Sequence, residues 1–205
     1  MSARLVARVA GDPVSVDEVD AAEARLRRGR RAAALPAGGT AEGRQLRRWL
    51  TQVIVTERVV AAEAAARGLT ARDAPAQAEL LPDATARLEI GSVAAAVLVD
   101  PRARALFADV TAAVRIGADA VADYHARNPL RFAAPQPGPG GWRAPPRTIP
   151  PLAQVRPAIA DHLRGAARRR AFRVWLDARR AALVRLAPGY EHPGDPRQPD
   201  NTHRH

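Results

Sequence analysis

Hydrophobic positions recur in steps of three and four along most of the chain, and in steps of two only near its ends. The longest helical pattern begins at Leu152 and reads LAQVRPAIADHLRGAARRRAFRVWLDARRAALVRLAP to Pro188. Leu152, Val155, Ile159, Leu163, Ala167, Ala171, Val174 and Ala178 share one helical face, which Phe172, Trp175 and Leu176 widen. Arg164, Arg168, Arg169 and Arg170 fall mostly off that face. Roughly 27 helical residues span about 40 Å at ~1.5 Å per residue, so this helix is expected to be a spine for the others. After it, Leu183-Val184-Arg185-Leu186 alternates as a strand does. At the other end Leu5, Ala7 and Val9 alternate with Arg4, Val6 and Arg8. The first strand is therefore expected to pair with the last.

Turn and cap signals divide the rest. Gly11-Asp12-Pro13 is turn chemistry, and Ser15-Val16-Asp17-Glu18 forms a capping box. The helix it opens carries Val19, Ala22 and Leu26 inward and ends before Leu35-Pro36-Ala37-Gly38-Gly39. A second helix is expected from about Ala41 to Arg67, with Leu46, Trp49, Leu50, Val53, Ile54, Val60, Ala61 and Ala64 on its apolar side and Gly68 as its stop. Residues 69–81 are weakly patterned. A third helix is expected from an Asp83 cap to Val97. A fourth follows Asp100-Pro101, with Leu106, Phe107 and Val110 inside. Val114 to Gly117 reads as briefly extended, and a short helix carrying Val121 and Tyr124 runs from Ala118 to Ala126.

From Ala133 to Pro151 the pattern stops. The run APQPGPGGWRAPPRTIPP holds seven of the 18 prolines and cannot form regular structure. Trp142 stands in the middle of it, where it either folds back on the body or meets a partner. Beyond Pro188, GYEHPGDPRQPDNTHRH is too polar and proline-rich to fold alone.

Composition narrows the function classes. Alanine supplies much of the 47% hydrophobic content and aromatics only 4%, which favours close-packed helices. Without cysteine there is no disulfide, thiolate nucleophile or Cys-type zinc site. No apolar run approaches the ~20 residues that span a bilayer, and the first residues lack a signal-peptide layout, so a cytoplasmic protein without a membrane partner is expected. The 32 basic residues are all arginine and the net charge is +11, which favours acidic partners. Because no phosphate loop, aromatic interleaving or compact basic motif accompanies the charge, nucleic acid is not the expected partner.

The order of these pieces resembles the SurA/PrsA/trigger-factor-like chaperones, which carry parvulin-type prolyl isomerase modules. VARVAGDPVSVDEVDAA looks like that family's first strand, turn and capped helix, and RQLRRWLTQVIVTERVVAAEAAARGL like its long second helix. VRIGADAVADYHARNPLRF is similar to the segment before the isomerase module, and LAQVRPAIADHLRGAARRRAFRVWLDARRAALVRL to the closing helix and returning strand. The resemblance covers about 85% of the chain in loose patterns, not catalytic signatures. A parvulin module needs an ordinary small domain of about 100 residues. Only 17 lie between Phe132 and Pro150. The resemblance thus implies a mostly α, multi-helix chaperone-like domain without the isomerase. It comprises a body over residues 1–132, a linker over 133–151, a closing helix and strand of the same domain over 152–188, and a His-containing tail over 189–205.

The chemistry-bearing residues support no recognisable enzyme. His125 and His162 read as surface or packing residues. Asp17, Glu18 and Asp20 belong to a helix N-terminus, and Asp119 and Asp123 are an i,i+4 pair on a solvated face. No nucleophile elbow, Walker loop or HExxH is present. The expected function is binding of an apolar or extended segment of a client protein, with Trp49, Phe132, Trp142 and Trp175 as candidate contacts and a homodimer left open. Two alternatives stand beside it. An accessory or biosynthetic enzyme would hold a divalent transition metal at His192, His203 and His205 with nearby carboxylates. An arginine-rich nucleic-acid binder would lose affinity steeply with salt.

Overall fold

The computed structural model describes residues 4–30, 32–132 and 149–191. The fold is mostly α, with a long C-terminal helix and a small sheet that joins the two ends of the chain.

The sheet begins with a hairpin of β1 (Leu5–Val9) and β2 (Asp12–Ser15). Its two-residue turn has Ala10 at φ 51° and Gly11 at φ 96°, the pair of positive φ values that a type I′ hairpin requires. The turn thus falls one residue earlier than the expected Gly11-Asp12-Pro13, and Asp12 and Pro13 already belong to a strand. Pro13 is tolerated because β2 is an edge strand in the order β2-β1-β3. A register shift between Leu5 and Ala7 marks a bulge, and Val6, expected to alternate outward, is fully buried there. On the other side of β1, β3 (Val184–Leu186) pairs antiparallel, with Ala7 opposite Leu186 and Val9 opposite Val184. The expected closure of first strand on last is present.

Ser15 opens α1 (Val16–Arg27) with the capping box that its spacing predicted: Glu18 N donates to Ser15 Oγ at 3.3 Å and Ser15 N to Glu18 Oε1 at 3.0 Å. Val19 and Ala22 are buried, whereas Leu26, expected inward, is exposed in the last turn of the helix. Thr40 caps α2 (Ala41–Ala66). A Cβ on Gly43 would lie 2.3 Å from Ala37 O, so only glycine lets the entering loop lie on this first turn. A short turn at Ala71–Asp73 and α3 (Gln77–Leu80) lead to α4 (Ala84–Ile90) and α5 (Ser92–Val97). The single helix expected from Asp83 to Val97 is broken at Gly91, whose φ of 88° is closed to other residues without strain. Then come α6 (Pro101–Val110), capped by Asp100, and α7 (Ala118–Arg127), joined by a turn and the unpaired residues 114–117, of which Gly117 is extended. Finally α8 runs from Leu152 to Leu183.

The helix at the centre of the core is α2. Eleven of its 26 residues are buried, against five of 32 in α8, and it packs on α1, α5, α6, β1 and α8. Its buried stripe mixes Leu50, Val55, Val59, Val60 and Ala64 with Thr51, Gln52, Thr56 and Glu63. Thr51 and Thr56 donate back to the carbonyls of Arg47 and Gln52 four residues earlier, which satisfies their hydroxyls inside the core.

Helix α8 joins two clusters instead of serving as a single spine. Phe172 and Leu176 enter the main core, where Phe172 lies 5.0 Å from Phe107 and 5.6 Å from Trp175. Val155 and Ile159 form a second, smaller cluster with Val121 of α7, flanked by Tyr124, Phe132 and Leu163. The expected face through Ala167, Ala171, Val174 and Ala178 drifts from the buried one, because steps of four gain about 40° each on a helix. Val174 is 63% exposed as a result.

Arg169, expected off the buried face, is 5% exposed and holds α8 to α4. Its Nε donates to Glu89 Oε2 at 2.7 Å and its Nη1 to Leu80 O at 3.2 Å. The guanidinium folds back over Gly165, where a Cβ would meet Nη1 at 3.1 Å. Replacing Arg169 with alanine leaves a buried carbonyl unpaired and Glu89 without its cation. Glu89 stays partly open to water, so the loss sits at the lower end for a broken buried pair, about 2–3 kcal/mol. Urea unfolding of Arg169→Ala measures it. Lysine restores only part of the loss, because it lacks the fork that reaches both acceptors.

Two carboxylates tie α2 to its neighbours. Glu23 of α1 is held by Arg27 at 2.6 Å and Arg47 at 2.7 Å, and Glu63 by Arg67 and Arg179. Burial pushes each carboxyl up, but the hydrogen bonds from two arginines outweigh it and hold both below the usual glutamate value. A depressed folded-state value means that this stability is present above the unfolded-state value of about 4.3 and is lost as pH falls through the folded one. Thermal melts should therefore drop steeply on the acid side of that value, and Glu63→Gln should flatten the drop while lowering the melting temperature at neutral pH.

Candidate functional site

A cleft of about 830 Å³ opens on the outer side of α2, away from the Gln52 and Glu63 stripe; two further surface hollows measure about 380 and 100 Å³. One wall is α1 through Glu18, Ala21 and Arg25, spaced to share one face. The floor is α2 through Ile54, Glu57, Arg58, Val60 and Ala61, and the far wall is the corner where α5 turns into α6. Small residues at Ala21, Ala61 and Ala96 keep the walls apart, while Ile54, Val60, Val97, Val99 and Pro101 make the lining apolar. Val99, at 63% exposure, stands at the rim.

The charges around the cleft are unequally engaged. Arg58 donates to Pro13 O at 2.6 Å and to Glu18 Oε2 at 2.5 Å, fastening α2 to the hairpin and to the first turn of α1. Asp100 caps α6 through Arg102 N at 2.8 Å and lies 3.7 Å from the Arg102 guanidinium. Glu57 and Arg25 make no hydrogen bond or ion pair with the described residues. Glu57 keeps its side chain open to the cleft, yet the walls around it displace enough water to push its carboxyl above the usual value. Burial is the main cause; the Arg25 charge opposes it and the Asp100 charge adds to it.

Trp49, Phe132 and Trp175, expected as client contacts, do not line this cleft. Trp49 packs on the edge of the main core, with its Nε1 donating to Ser92 Oγ at 3.2 Å. Trp175 stacks on Phe172 beneath the Arg67 guanidinium, 5.5 Å from its ring. Phe132 belongs to the second cluster, 6.2 Å from both Tyr124 and His162. Trp142 lies outside the described residues. The structure therefore brings Trp49 and Trp175 to the margin of one core and places Phe132 at another. Sequence reasoning took Ile54 and Ala61 for core and passed over Glu57 and Arg25. The signal for the cleft was the i, i+3, i+7 row of Ile54, Glu57 and Ala61, a mixed face on a helix already supplied with a separate buried stripe.

The small hollow between α4 and α8 collects Asp83, Glu89, Arg131, Asp161, His162 and Arg169. His162 faces Tyr124 OH at 3.2 Å, and burial, reinforced by the Arg131 charge, holds its imidazole below the usual value. His125 Nε2 lies 2.9 Å from Pro150 O. Both histidines are engaged in packing contacts. Among the described residues no group of three or more His, Cys, Asp or Glu side chains is placed to hold a metal ion. His192, His203 and His205 lie outside the described residues. Among the described residues, too, no helix is long and apolar enough to cross a membrane.

A family model described as a family of unknown function, DUF7158, matches residues 5–42. The match takes in the hairpin, α1 and the cap of α2, and so includes the Glu18, Ala21 and Arg25 wall of the cleft but not its floor. No curated protein and no solved structure matches the chain.

The desolvation of Glu57 has a measurable consequence. A carboxyl whose folded-state value is raised destabilises the folded state when ionised, and stability is regained as pH falls through that raised value. Glu57→Gln is expected to melt slightly higher than the parent near neutral pH, with the difference closing in mildly acidic buffer. Paired thermal melts across that range check it.

Proposed function

We propose that the protein is a chaperone-like or assembly protein that holds an apolar or extended segment of a client, and that the seat of the client is the cleft between α1, α2 and the α5–α6 corner. The observation that carries this reading is an open, largely apolar cleft in which two charges, Glu57 and Arg25, are not used by the fold itself. Clefts of roughly 300–1,000 Å³ with apolar linings and a few convergent polar groups are the usual form of a binding site. The lining offers affinity from apolar burial at about 25 cal/mol per Å², before the costs of association. In this reading the chain resembles the binding body of SurA/PrsA/trigger-factor-like chaperones without their prolyl isomerase module, and it works in the cytoplasm. Client release needs no chemical step, because burial of side chains on α2 is reversible.

The test blocks the floor of the cleft from the solvent side. Ala61 is exposed, so Ala61→Arg or Ala61→Trp fills the cleft without entering the core. The parent protein is expected to suppress light scattering from a thermally unfolding model client at equimolar ratio. Both variants should lose most of that suppression while melting at the parent temperature. Unchanged suppression by the two variants would remove the cleft from the function.

A further inference from the structure

We infer that the cleft selects a client segment in which one cationic side chain, an arginine or a lysine, stands among apolar residues, and that this cation seats on Glu57. The inference rests on the client-binding reading above and sharpens it.

This chain pairs its packed carboxylates with arginine. With 32 arginines to 21 acids, the acids that pack between elements are met by guanidinium groups: Glu18 by Arg58, Glu23 by Arg27 and Arg47, Glu63 by Arg67 and Arg179, and Glu89 by Arg169. The acids without such a partner, among them Asp17, Asp119 and Asp123, lie on open faces where water solvates them. Glu57 is exposed as well, but it opens into the cleft and not onto an outer face. It stands between two helical walls in partly excluded water, and no side chain of the described residues bonds to it. A carboxylate in that position pays for desolvation without recovering it, unless something arriving from outside supplies the cation.

The surrounding charges leave that role open. Glu18 is occupied by Arg58 and by the backbone of Ser15, and Asp100 by the first turn of α6. Arg58 is held between Pro13 and Glu18, and Arg102 lies beside Asp100. Arg25 acts on Glu57 through its field without forming an ion pair. A free metal ion or polyamine would satisfy Glu57 but would leave the exposed Val99 and Pro101 and the half-buried Ile54 uncovered. A wholly apolar segment would cover those residues but bury Glu57 with no partner. A segment that combines the two satisfies both surfaces, and guanidinium suits a carboxylate better than a point charge does.

Selection from a randomised linear dodecapeptide library on the immobilised full-length protein tests this. The parent is expected to enrich peptides carrying one arginine or lysine between leucine, valine, isoleucine or phenylalanine. Glu57→Gln should keep the apolar enrichment and lose the cationic one, and Glu57→Arg should enrich aspartate or glutamate at the same position. Arg25→Ala should strengthen the cationic preference by removing the competing charge. For the best arginine peptide, replacement of arginine by citrulline should weaken calorimetric binding to the parent roughly tenfold and leave binding to Glu57→Gln unchanged. Apolar enrichment without a cationic preference, or a cationic preference that survives Glu57→Gln, overturns the inference while leaving the client-binding reading in place. Spermine binding as tightly as the peptide also overturns it. No enrichment over the Ala61→Arg variant overturns both.

Discussion

The structure depends on the polar stripe buried along α2. Gln52 is 1% exposed; its amide nitrogen donates to Tyr190 O at 2.8 Å and its oxygen accepts from Arg180 of α8. One helical turn earlier Arg48 donates to Gly189 O at 3.1 Å, and further along Glu63 holds Arg179. These bonds fasten the end of α8 and the residues after β3 to the side of α2. That fastening presents β3 to β1, and Ala187 N then donates to Val6 O at 2.9 Å. The short sheet alone could not enforce such a closure, because the three residue pairs between β1 and β3 contribute little without a packed neighbour. A buried polar network is costly when half satisfied and directional when satisfied, so it fixes the path of the last strand where apolar contacts alone would allow sliding.

The same stripe explains what could and could not be read from the chain. Helix starts were legible because their signals are local: Ser15 with Glu18, Asp83 and Asp100-Pro101 each act within one turn. The pairing of the two ends was legible because only those segments alternate. The buried face of α2 was not: Gln52 and Glu63 look like surface residues until their partners at Tyr190, Arg180 and Arg179 are known, more than a hundred positions away, and Thr51 and Thr56 hide their hydroxyls on carbonyls of the helix itself. Arg169 misled for the same reason, its acceptors at Leu80 and Glu89 being remote. The residues from Gly189 to Tyr190, expected to begin a polar tail, dock on α2 through backbone carbonyls that a side-chain pattern does not encode. The cleft was illegible for the complementary reason. Once the buried stripe is assigned to Thr51, Val55, Val59 and Glu63, Ile54 and Ala61 face the other way, and only then does their row with Glu57 stand out.

These two faces of α2 divide the labour. The inner face commits arginine and glutamine to internal acceptors, with Glu63 held by Arg67 and Arg179 and Arg67 also 3.3 Å from Asp109. The outer face leaves Glu57, with Arg25 of α1 opposite, unengaged beside apolar side chains, an arrangement expected to lower stability near neutral pH. Local inconsistency of this kind, set within a fold whose other carboxylates are carefully matched, is where function is expected to reside. The inner network also makes that cost bearable. Because α2 is pinned along its length by α1, α5, α6, β1 and α8, its outer face keeps its shape whether or not the cleft is filled. A client would then meet a preorganised floor and would not have to order one, so the apolar area it buries there counts toward affinity with little conformational cost on the protein's side.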